Sequence, residues 1–458
     1  MTGGASLADA LRSVQSRQRL HMPGHFGRVS PVPAAWGAQA AAWDQTESMG
    51  LDALSLPTGV LEAVSERAAA AYGARAAWLS VQGATLPVLA GSLALAAPGG
   101  RVLADRRSHR SVLAAAILGG WQVDWVCGEA GDPPDVAAWL RKLSGPRPDL
   151  VVPLYPSYEG LGRDLAPVVA QAHARGSRVL VDAAHGSHLG RAAGLPPHPL
   201  AWGVDLVAHG LHKTEPVLTQ AGLLLAGPGA PAVLVWEWMR RLATSSPSYL
   251  LLASMEQYAE QRAAGDGGWI RFAAQMHDVW EQLAQRGWQV RQRVWSRAGQ
   301  LADPAKLTVE GDGLRLAERL RRAGFEPEHA DAAGVTLIAG PALGFDSRDW
   351  DRVIEALGDP VAPASGRAWW PAPAPAVLSP AAAVRAPRRR VGLGAAAERV
   401  AAAEITPYPP GVPVAVPGEH LSGEVVQWLE EAAARGVRLE GVDTEGGEVA
   451  VWVVDGDA

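Results

Sequence analysis

The chain has 458 residues, of which 48% are hydrophobic, so it contains enough apolar sequence for sizeable buried cores. Its 41 basic and 47 acidic side chains give a formal charge of −6, which excludes a strongly basic nucleic-acid-binding protein. No apolar stretch is long enough to predict a membrane span, and the single cysteine, Cys127, excludes an intramolecular disulfide. We therefore expect a globular, cytoplasmic protein of two or three domains without nucleic-acid or membrane partners.

Lysine is scarce in this chain. Only Lys142, Lys213 and Lys306 occur, and all other basic residues are arginine. Because a guanidinium is not deprotonated in practice, each lysine is a candidate for a task that arginine cannot perform, such as forming a Schiff base. Lys142 lies late in an exposed predicted helix and Lys306 precedes a peripheral predicted strand, so the context favours Lys213.

Short apolar runs alternate with helical segments from about residue 76 onward. Strands are predicted at 77–81, 101–104, 121–127, 150–154, 178–181, 206–208 and 221–226. Helices are predicted after Thr85, after an N-terminal cap at Ser108, and at 135–143 and 165–174. Helices between apolar strands indicate a mostly parallel sheet. The connection from 209 to 220 is too short for a crossover helix, so the last strand is predicted to be antiparallel.

The pattern predicts three regions along the chain. They are an N-terminal arm at 1–60, a large domain at 61–300, whose residues 232–300 are predicted to be helical, and a smaller C-terminal α/β domain at 301–458. Strands at 307–309 and 336–338 and helices at 314–323 and 347–357 open the C-terminal domain. By composition alone, the Pro/Ala-rich stretch 359–397 is a linker.

Reactive groups follow several of the predicted strands. Asp182 and Lys213 come just after two of them, and the turn Gly83-Ala84-Thr85 joins a strand to a helix N-terminus. Since the carboxyl ends of parallel strands line one crevice, these groups are expected to converge. A lysine, an aspartate and a helix N-terminus are what a pyridoxal phosphate (PLP) site needs, for the imine, the pyridine nitrogen and the phosphate respectively. His109, at the start of another helix, is a candidate to stack on the ring.

Four histidines offer a different interpretation. They form two His-x-x-His pairs, His185 with His188 and His209 with His212, a spacing that also occurs in metal sites. No helical His-Glu-x-x-His pattern or cysteine ligand accompanies them, so we predict no metal site.

The motifs of the chain resemble those of the Orn/Lys/Arg decarboxylase family in its short form. The resemblance rests on HMPGH at 21–25, TE at 46–47 with GLDAL at 50–54, Asp105 with SHRSV at 108–112, PSYEG at 156–160, VDAAHGSH at 181–188, HK at 212–213 with LTQ at 218–220, and PYPPGVP at 407–413 with PGE at 417–419. These stretches follow the family order along nearly the whole chain. The resemblance implies that 359–397 belongs to the C-terminal region and is not a linker.

The resemblance also implies a fold type I PLP enzyme, similar to aspartate aminotransferase, that works as at least a homodimer. It makes Lys213 the cofactor lysine, Asp182 the partner of the pyridine nitrogen and His109 the stacking residue. Ala184 would pack on the opposite face of the ring. The remaining cofactor-binding residues implied are Gly83, Ala84, Thr85, His185 and His212.

The chain departs from the family pattern at several positions. Two are Ala84 and Gly210, where the family carries hydroxyl side chains that bind phosphate. Loss of two neutral hydrogen bonds of about 1 kcal/mol each is expected to weaken cofactor retention without abolishing it. The other departures are Gln82, Ala183 and Phe26.

The leading hypothesis is a PLP-dependent decarboxylase of arginine, lysine or ornithine that yields a polyamine-type amine and carbon dioxide. Lys213 or His212 is expected to protonate the substrate Cα. Candidate partners for a distal cation are Glu47, Asp52 and Glu404, with helix capping or solvation as the alternative. Two other hypotheses remain open: another fold type I reaction such as amino-group transfer, and a relative without catalytic activity.

Overall fold

The computed structural model describes residues 18–20, 52–128, 133–364, 371, 373–407, 411–443 and 449–456. Within these ranges, no helix is both long and apolar enough to cross a membrane.

The strands, in chain order, are β1 (Gln18–Leu20), β2 (Ala76–Ser80), β3 (Arg101–Asp105), β4 (Gln122–Val126), β5 (Leu150–Val152), β6 (Leu161–Gly162), β7 (Arg178–Asp182), β8 (Leu206–His209), β9 (Gly222–Ala226), β10 (Leu301–Ala302), β11 (Lys306–Glu310), β12 (Phe325–Pro327), β13 (His329–Ala330), β14 (Gly334–Ile338), β15 (Arg388–Gly392), β16 (Thr406–Pro407), β17 (Leu439–Glu440), β18 (Val442–Asp443) and β19 (Ala450–Val454). The α-helices are α1 (Val60–Tyr72), α2 (Thr85–Leu95), α3 (Arg110–Gly119), α4 (Val136–Leu143), α5 (Ala166–Ala174), α6 (Ala232–Leu242), α7 (Tyr249–Ala263), α8 (Trp269–Gln285), α9 (Arg291–Arg297), α10 (Gly313–Arg322), α11 (Ser347–Leu357), α12 (Pro380–Arg385) and α13 (Gly423–Ala434).

The largest sheet has seven strands in the order β2-β9-β8-β7-β5-β3-β4. All neighbouring strands run parallel except β9, which is antiparallel to both β2 and β8. The predicted mostly parallel sheet with one reversed strand is therefore confirmed. Buried apolar side chains cover both faces, with α1, α5 and α7 on one side and α2, α3 and α6 on the other. This two-sided burial explains why the strands consist of nearly continuous apolar sequence.

One helix start differs from the prediction. The N-cap of α3 is His109, whose ring nitrogen Nδ1 accepts a hydrogen bond from the Ser111 N–H at 3.2 Å, so Ser108 is not the cap. The imidazole lone pair thus takes the place of the serine hydroxyl that the sequence pattern favours.

The region 301–458 contains two further cores. The first joins α8 to the sheet β11-β14-β13 and to α10 and α11, and Leu20 of β1 is buried in it. The second lies around α13 and the sheet β15-β19-β18. The predicted boundary at residue 300 stays a prediction, because α8 precedes it and packs with the first of these cores.

The composition-based linker at 359–397 is wrong in its second half. Residues Pro380–Arg385 form α12, and Arg388–Gly392 pair with β19 in an antiparallel ladder. Backbone pairing orders this segment although its sequence is rich in proline, alanine and arginine, as the family resemblance implied.

Candidate active site

The candidate site lies at the carboxyl ends of the parallel strands. Strand β7 ends at Asp182, and β8 ends at His209, just before the 3₁₀ turn Leu211–Lys213. Strand β2, which runs parallel to β8, leads at the same edge into the turn before α2. The sheet thus brings together the three strand-end groups that the sequence pattern singled out.

Lys213 contacts His185 inside this crevice. Its Nζ atom lies 3.1 Å from His185 Nε2. Burial lowers the pKa of Lys213, and the carboxylates of Asp182 and Glu328 oppose that shift. A lysine with a lowered pKa has a larger fraction of neutral amine, which is the form that attacks a carbonyl carbon.

Asp182 is almost fully buried at the end of β7. Its Oδ1 accepts a hydrogen bond from the Ala184 N–H at 3.1 Å, and its Oδ2 has no hydrogen-bond partner among the described residues. Burial raises the pKa of Asp182 against the opposing Lys213 cation and the Ala184 amide. Asp105 is buried nearby, and its pKa is raised to about 7 by burial, with a further contribution from Asp182. A buried carboxylate with one free oxygen can accept a hydrogen bond from the N–H of a protonated ring nitrogen.

His109 and Ala184 are the two residues expected to face the cofactor ring. Burial, with the Lys213 and Arg110 cations, lowers the pKa of His109 to about 3. The imidazole is therefore neutral at physiological pH, and its Nδ1 lone pair is already used at the start of α3. Ala184 is buried and follows the Asp182 strand end by two residues. His109 follows the end of β3 and Ala184 follows the end of β7, and these two strands flank β5 in the sheet.

The turn before α2 has the backbone that an anion site needs. Gly83 adopts a positive φ of 61°, and its N–H donates to the Gln220 carbonyl at 2.8 Å. The N-cap of α2 is Ala84, which makes no side-chain capping bond, so the N–H groups that follow have no side-chain acceptor there. Gly222 is required beside this turn, because a Cβ at that position would lie 2.1 Å from the Gly83 carbonyl oxygen. Free N–H groups at a helix N-terminus suit a phosphate dianion.

His212 lies beside the same turn. A Cβ built on Gly83 would be 3.7 Å from His212 Cε1. The ring Nδ1–H donates to the Ala221 carbonyl at 3.0 Å, and burial lowers the pKa of His212 to about 4. His212 is therefore a neutral group whose Nε2 lone pair faces away from the Ala221 bond.

These residues fit PLP. Lys213 would bind it covalently, Asp182 would pair with its ring nitrogen, and the amides from Gly83 to Thr85 would hold its phosphate. Asp182 Oδ2 is free to bind the ring nitrogen, and the uncapped start of α2 is free to bind the phosphate. Ala84 and Gly210 contribute no hydroxyl group.

Lys306, which its sequence context disfavoured, also lies at the candidate site. This side chain is fully buried, and its Nζ lies 2.9 Å from His185 Nδ1, on the opposite side of the ring from Lys213. Tyr158 packs edge-on against His185 and donates a hydrogen bond from its hydroxyl to Glu328 at 2.7 Å. The scarcity of lysine was the available signal, but the position of Lys306 before a short C-terminal strand argued against it.

The three candidate partners for a distal cation lie in different places. Both oxygens of Asp52 accept hydrogen bonds from backbone N–H groups at the start of α1, including one from Gly59 at 2.7 Å. This arrangement agrees with the helix-capping alternative for Asp52. Glu404 is half-buried, and its pKa is raised by burial and by Glu440, while the Arg110 cation opposes the shift. Glu47 lies outside the described residues.

The four histidines of the two His-x-x-His pairs have separate partners. His188 Nε2 contacts Asp303 at 2.8 Å, while His209 contacts His198 at 2.9 Å and the Ala183 carbonyl at 2.8 Å. Across the described part of the chain, no group of three or more His, Cys, Asp or Glu side chains is arranged to hold a metal ion.

Solved structures with the same architecture define the class of fold. A lysine decarboxylase of Francisella novicida superposes with a TM-score of 0.74 at 15% identity, over 90% of this chain and 74% of that one. A serine palmitoyltransferase of Sphingomonas wittichii superposes with a TM-score of 0.59 at 18% identity, over 74% of this chain and 85% of that one. The protein has the fold of the type I PLP-dependent enzymes.

Sequence comparison is more specific than the fold. The family model for the major domain of the Orn/Lys/Arg decarboxylases matches residues 12–126 and 137–332, and the model for their C-terminal domain matches 371–451. The chain belongs to the Orn/Lys/Arg decarboxylase family. It is 28% identical to an arginine decarboxylase of Bacillus subtilis over 95% of each chain. It is 29% identical to an arginine decarboxylase of Bacillus cereus over 87% of this chain and 93% of that one.

Proposed function

We propose that the protein is a PLP-dependent decarboxylase of a basic amino acid, with arginine as the first substrate to test. The observation that carries the proposal is the partly buried Lys213 amine, held against His185 at the same sheet edge as Asp182 and the uncapped N-terminus of α2. The curated relatives named as arginine decarboxylases support arginine, and the family as a whole supports basic amino acids.

Each residue of the site has a role in this proposal. Lys213 Nζ attaches the cofactor, and the Asp182 carboxyl keeps a proton on the ring nitrogen. The bound cofactor supplies a conjugated ring that accepts the electron pair left by the departing carbon dioxide. Lys213 takes up a proton from the substrate ammonium and then delivers it to the substrate Cα. His212 beside it is neutral and directs its N–H at the Ala221 carbonyl, so it is the less suitable proton donor.

Of the two acidic candidates within the described residues, Asp52 and Glu404, we assign Glu404 to a distal cation. The carboxylate of Asp52 is already committed to backbone N–H groups, whereas Glu404 is half-buried with a raised pKa. A guanidinium beside Glu404 would favour its charged form and offer a bidentate hydrogen bond. The proposal also includes a homodimer, a cytoplasmic location and a product of the polyamine type.

The first test replaces Lys213 by alanine. The Lys213→Ala variant is expected to lose both the absorbance band of the bound cofactor and carbon dioxide release from a panel of arginine, lysine and ornithine, because no other lysine adjoins Asp182. Lys142→Ala, which removes an exposed lysine, is the matched control and should retain both. Release that persists in Lys213→Ala would refute the assignment. A wild-type protein that binds PLP but transfers amino groups instead of releasing carbon dioxide would support the aminotransferase hypothesis.

A further inference from the structure

His185 lies between two lysines, the partly buried Lys213 and the fully buried Lys306. Its Nε2 is 3.1 Å from Lys213 Nζ, and its Nδ1 is 2.9 Å from Lys306 Nζ. The Lys306 side chain is fully buried and His185 is 5% exposed. Lys306 comes from β11, outside the seven-stranded sheet, so this contact joins the two parts of the molecule at the candidate site.

The chemistry of imidazole limits where protons can lie along the series Lys213, His185 and Lys306. A neutral imidazole has one N–H group and one lone pair, whereas its protonated form has two N–H groups and accepts no hydrogen bond. Burial and the adjacent lysines hold the pKa of His185 well below its usual value, so the ring is neutral. If both contacts are hydrogen bonds, one lysine donates, as an ammonium or an amine, and the other must be a neutral amine to accept.

Both lysines face negative charge. Asp303, Glu328 and Glu159 face Lys306, and the Tyr158 ring lies 5.9 Å from its Nζ, while Asp182 and Glu328 face Lys213. We assign the ammonium to Lys306, because Lys213 must be a neutral amine to attach a cofactor.

The backbone makes room for Lys306. A Cβ on Gly160, whose φ is +93°, would lie 2.6 Å from Lys306 Cγ and 2.8 Å from its Cβ. The glycine of the PSYEG motif therefore allows the lysine stem to reach His185.

We propose that Lys306 is a positioning residue that donates to Nδ1 of His185 and thereby fixes the ring tautomer with its proton on Nε2. That Nε2–H then donates to the amine of Lys213, which keeps this amine unprotonated and oriented. The inference rests on the proposed function, because it takes Lys213 as the lysine that attaches PLP.

The ammonium is the main form of Lys306 at neutral pH. Burial, with a smaller contribution from Lys213, lowers its pKa to about 8, and Asp303, Glu328 and Glu159 oppose the shift. His185 is the remaining titratable group in contact with it. Above about pH 8 the tautomer is no longer fixed by a cation.

The test measures how fast the full-length chain, freed of cofactor, attaches added PLP at a series of pH values. This rate follows the neutral fraction of Lys213 and does not require turnover. In Lys306→Met, loss of the nearby positive charge is expected to raise the midpoint of the rate profile by about one pH unit. Attachment at pH 7 then slows about tenfold. Lys142→Met, which removes an exposed lysine, should leave the profile unchanged.

The outcomes separate the two proposals. A Lys306→Met profile with the wild-type midpoint would overturn the role of Lys306 while leaving Lys213 as the attachment site. Wild-type protein that attaches no PLP to Lys213, as mapped after reduction with borohydride, would overturn the proposed function itself.

A second measurement on the wild-type chain does not depend on the folding of Lys306→Met. Nitrogen-15 NMR of histidine-labelled protein distinguishes Nδ1-protonated from Nε2-protonated rings, and the signal lost in His185→Gln identifies His185. The expected spectrum shows a neutral ring with its proton on Nε2. A proton on Nδ1 would overturn the inference.

Discussion

Ala84 leaves the start of α2 without the side-chain cap that a serine or threonine would provide. Its backbone already has helical angles, with φ −73° and ψ −14°, so a larger side chain can be accommodated without a change of conformation. A hydroxyl there would add one donor to the group of amides that we assign to the phosphate.

We therefore predict that Ala84→Ser tightens PLP binding. One added hydrogen bond of about 1 kcal/mol corresponds to a dissociation constant lowered about fivefold. The constant can be measured by titrating cofactor-free protein with PLP and following absorbance. Ala97→Ser, at an exposed position after α2, is the control and should bind PLP as the wild type does. An unchanged constant in Ala84→Ser would argue against phosphate at this turn.

Gly210 differs from Ala84 in how much room it has. A Cβ at Gly210 would lie 3.1 Å from the Ala184 carbonyl oxygen and 3.3 Å from Lys213 Cδ and Cε. These contacts are tight, so a serine here would press on the side chain of Lys213. The two departures from the family pattern are therefore not equivalent.

The two lysines of the site show how much of it could be predicted from the sequence. Lys213 could be found because it follows a strand end, and the sheet places such residues together. Lys306 could not, because it meets His185 across 121 residues of chain and its burial depends on how β11 packs beside the large sheet. The scarcity of lysine made both residues candidates, but only tertiary packing shows that the strand carrying Lys306 reaches the site.

At the level of elements, the strands of the large sheet were predictable and β15 was not. Strands buried on both faces consist of continuous apolar residues, which the sequence displays directly. Strand β15 contains Arg388, Arg389 and Arg390, which are exposed, and it forms one edge of its sheet. Its pairing with β19 depends on backbone hydrogen bonds, which leave no mark on composition.

The end of β3 is joined to the C-terminal region through Arg106. Its guanidinium donates to the carbonyls of Pro413 and Val414 and to Glu419 at 3.0 Å, and both charged side chains are buried. This contact gives the PGE motif at 417–419 a structural role.

Removing Glu419 should therefore destabilise the protein strongly. Glu419→Ala leaves the buried Arg106 charge without its carboxylate, and the expected loss in the free energy of unfolding is about 3–5 kcal/mol, measured by urea denaturation. Glu440→Ala breaks the more exposed pair with Arg110 and should cost about 1 kcal/mol or less. The apolar double variant Arg106→Met/Glu419→Leu should lose less than Glu419→Ala alone. Equal losses for Glu419→Ala and Glu440→Ala would contradict this account.

For the whole molecule, the buried histidines determine how stability depends on pH. Burial holds the pKa of His109 and His209 at about 3 and that of His212 at about 4, and it places His185 and His198 well below the usual range. An unfolded histidine has a pKa of about 6.5. Below that pH the unfolded chain binds protons that the folded chain does not, so stability is complete above pH 6.5 and is lost as the pH falls. Four carboxyl groups with raised pKa values act in the opposite direction: Asp105, at about 7, and Asp182, Glu404 and Glu419.

His198 offers a way to measure this effect away from the candidate site. Its Nε2–H donates to His209 Nε2, because the Nδ1–H of His209 is already given to the Ala183 carbonyl. Below pH 6.5, each such histidine lowers the free energy of unfolding by about 1.4 kcal/mol for every pH unit. Between pH 7.0 and 5.5, urea denaturation of cofactor-free His198→Gln should therefore show a fall in unfolding free energy about 1 kcal/mol smaller than that of the wild type. His277→Gln, at an exposed position, should keep the wild-type fall. If His198→Gln also keeps it, His198 binds the same number of protons in the folded and unfolded chains over this pH range, and the neutral histidine pair is not the origin of the acid sensitivity.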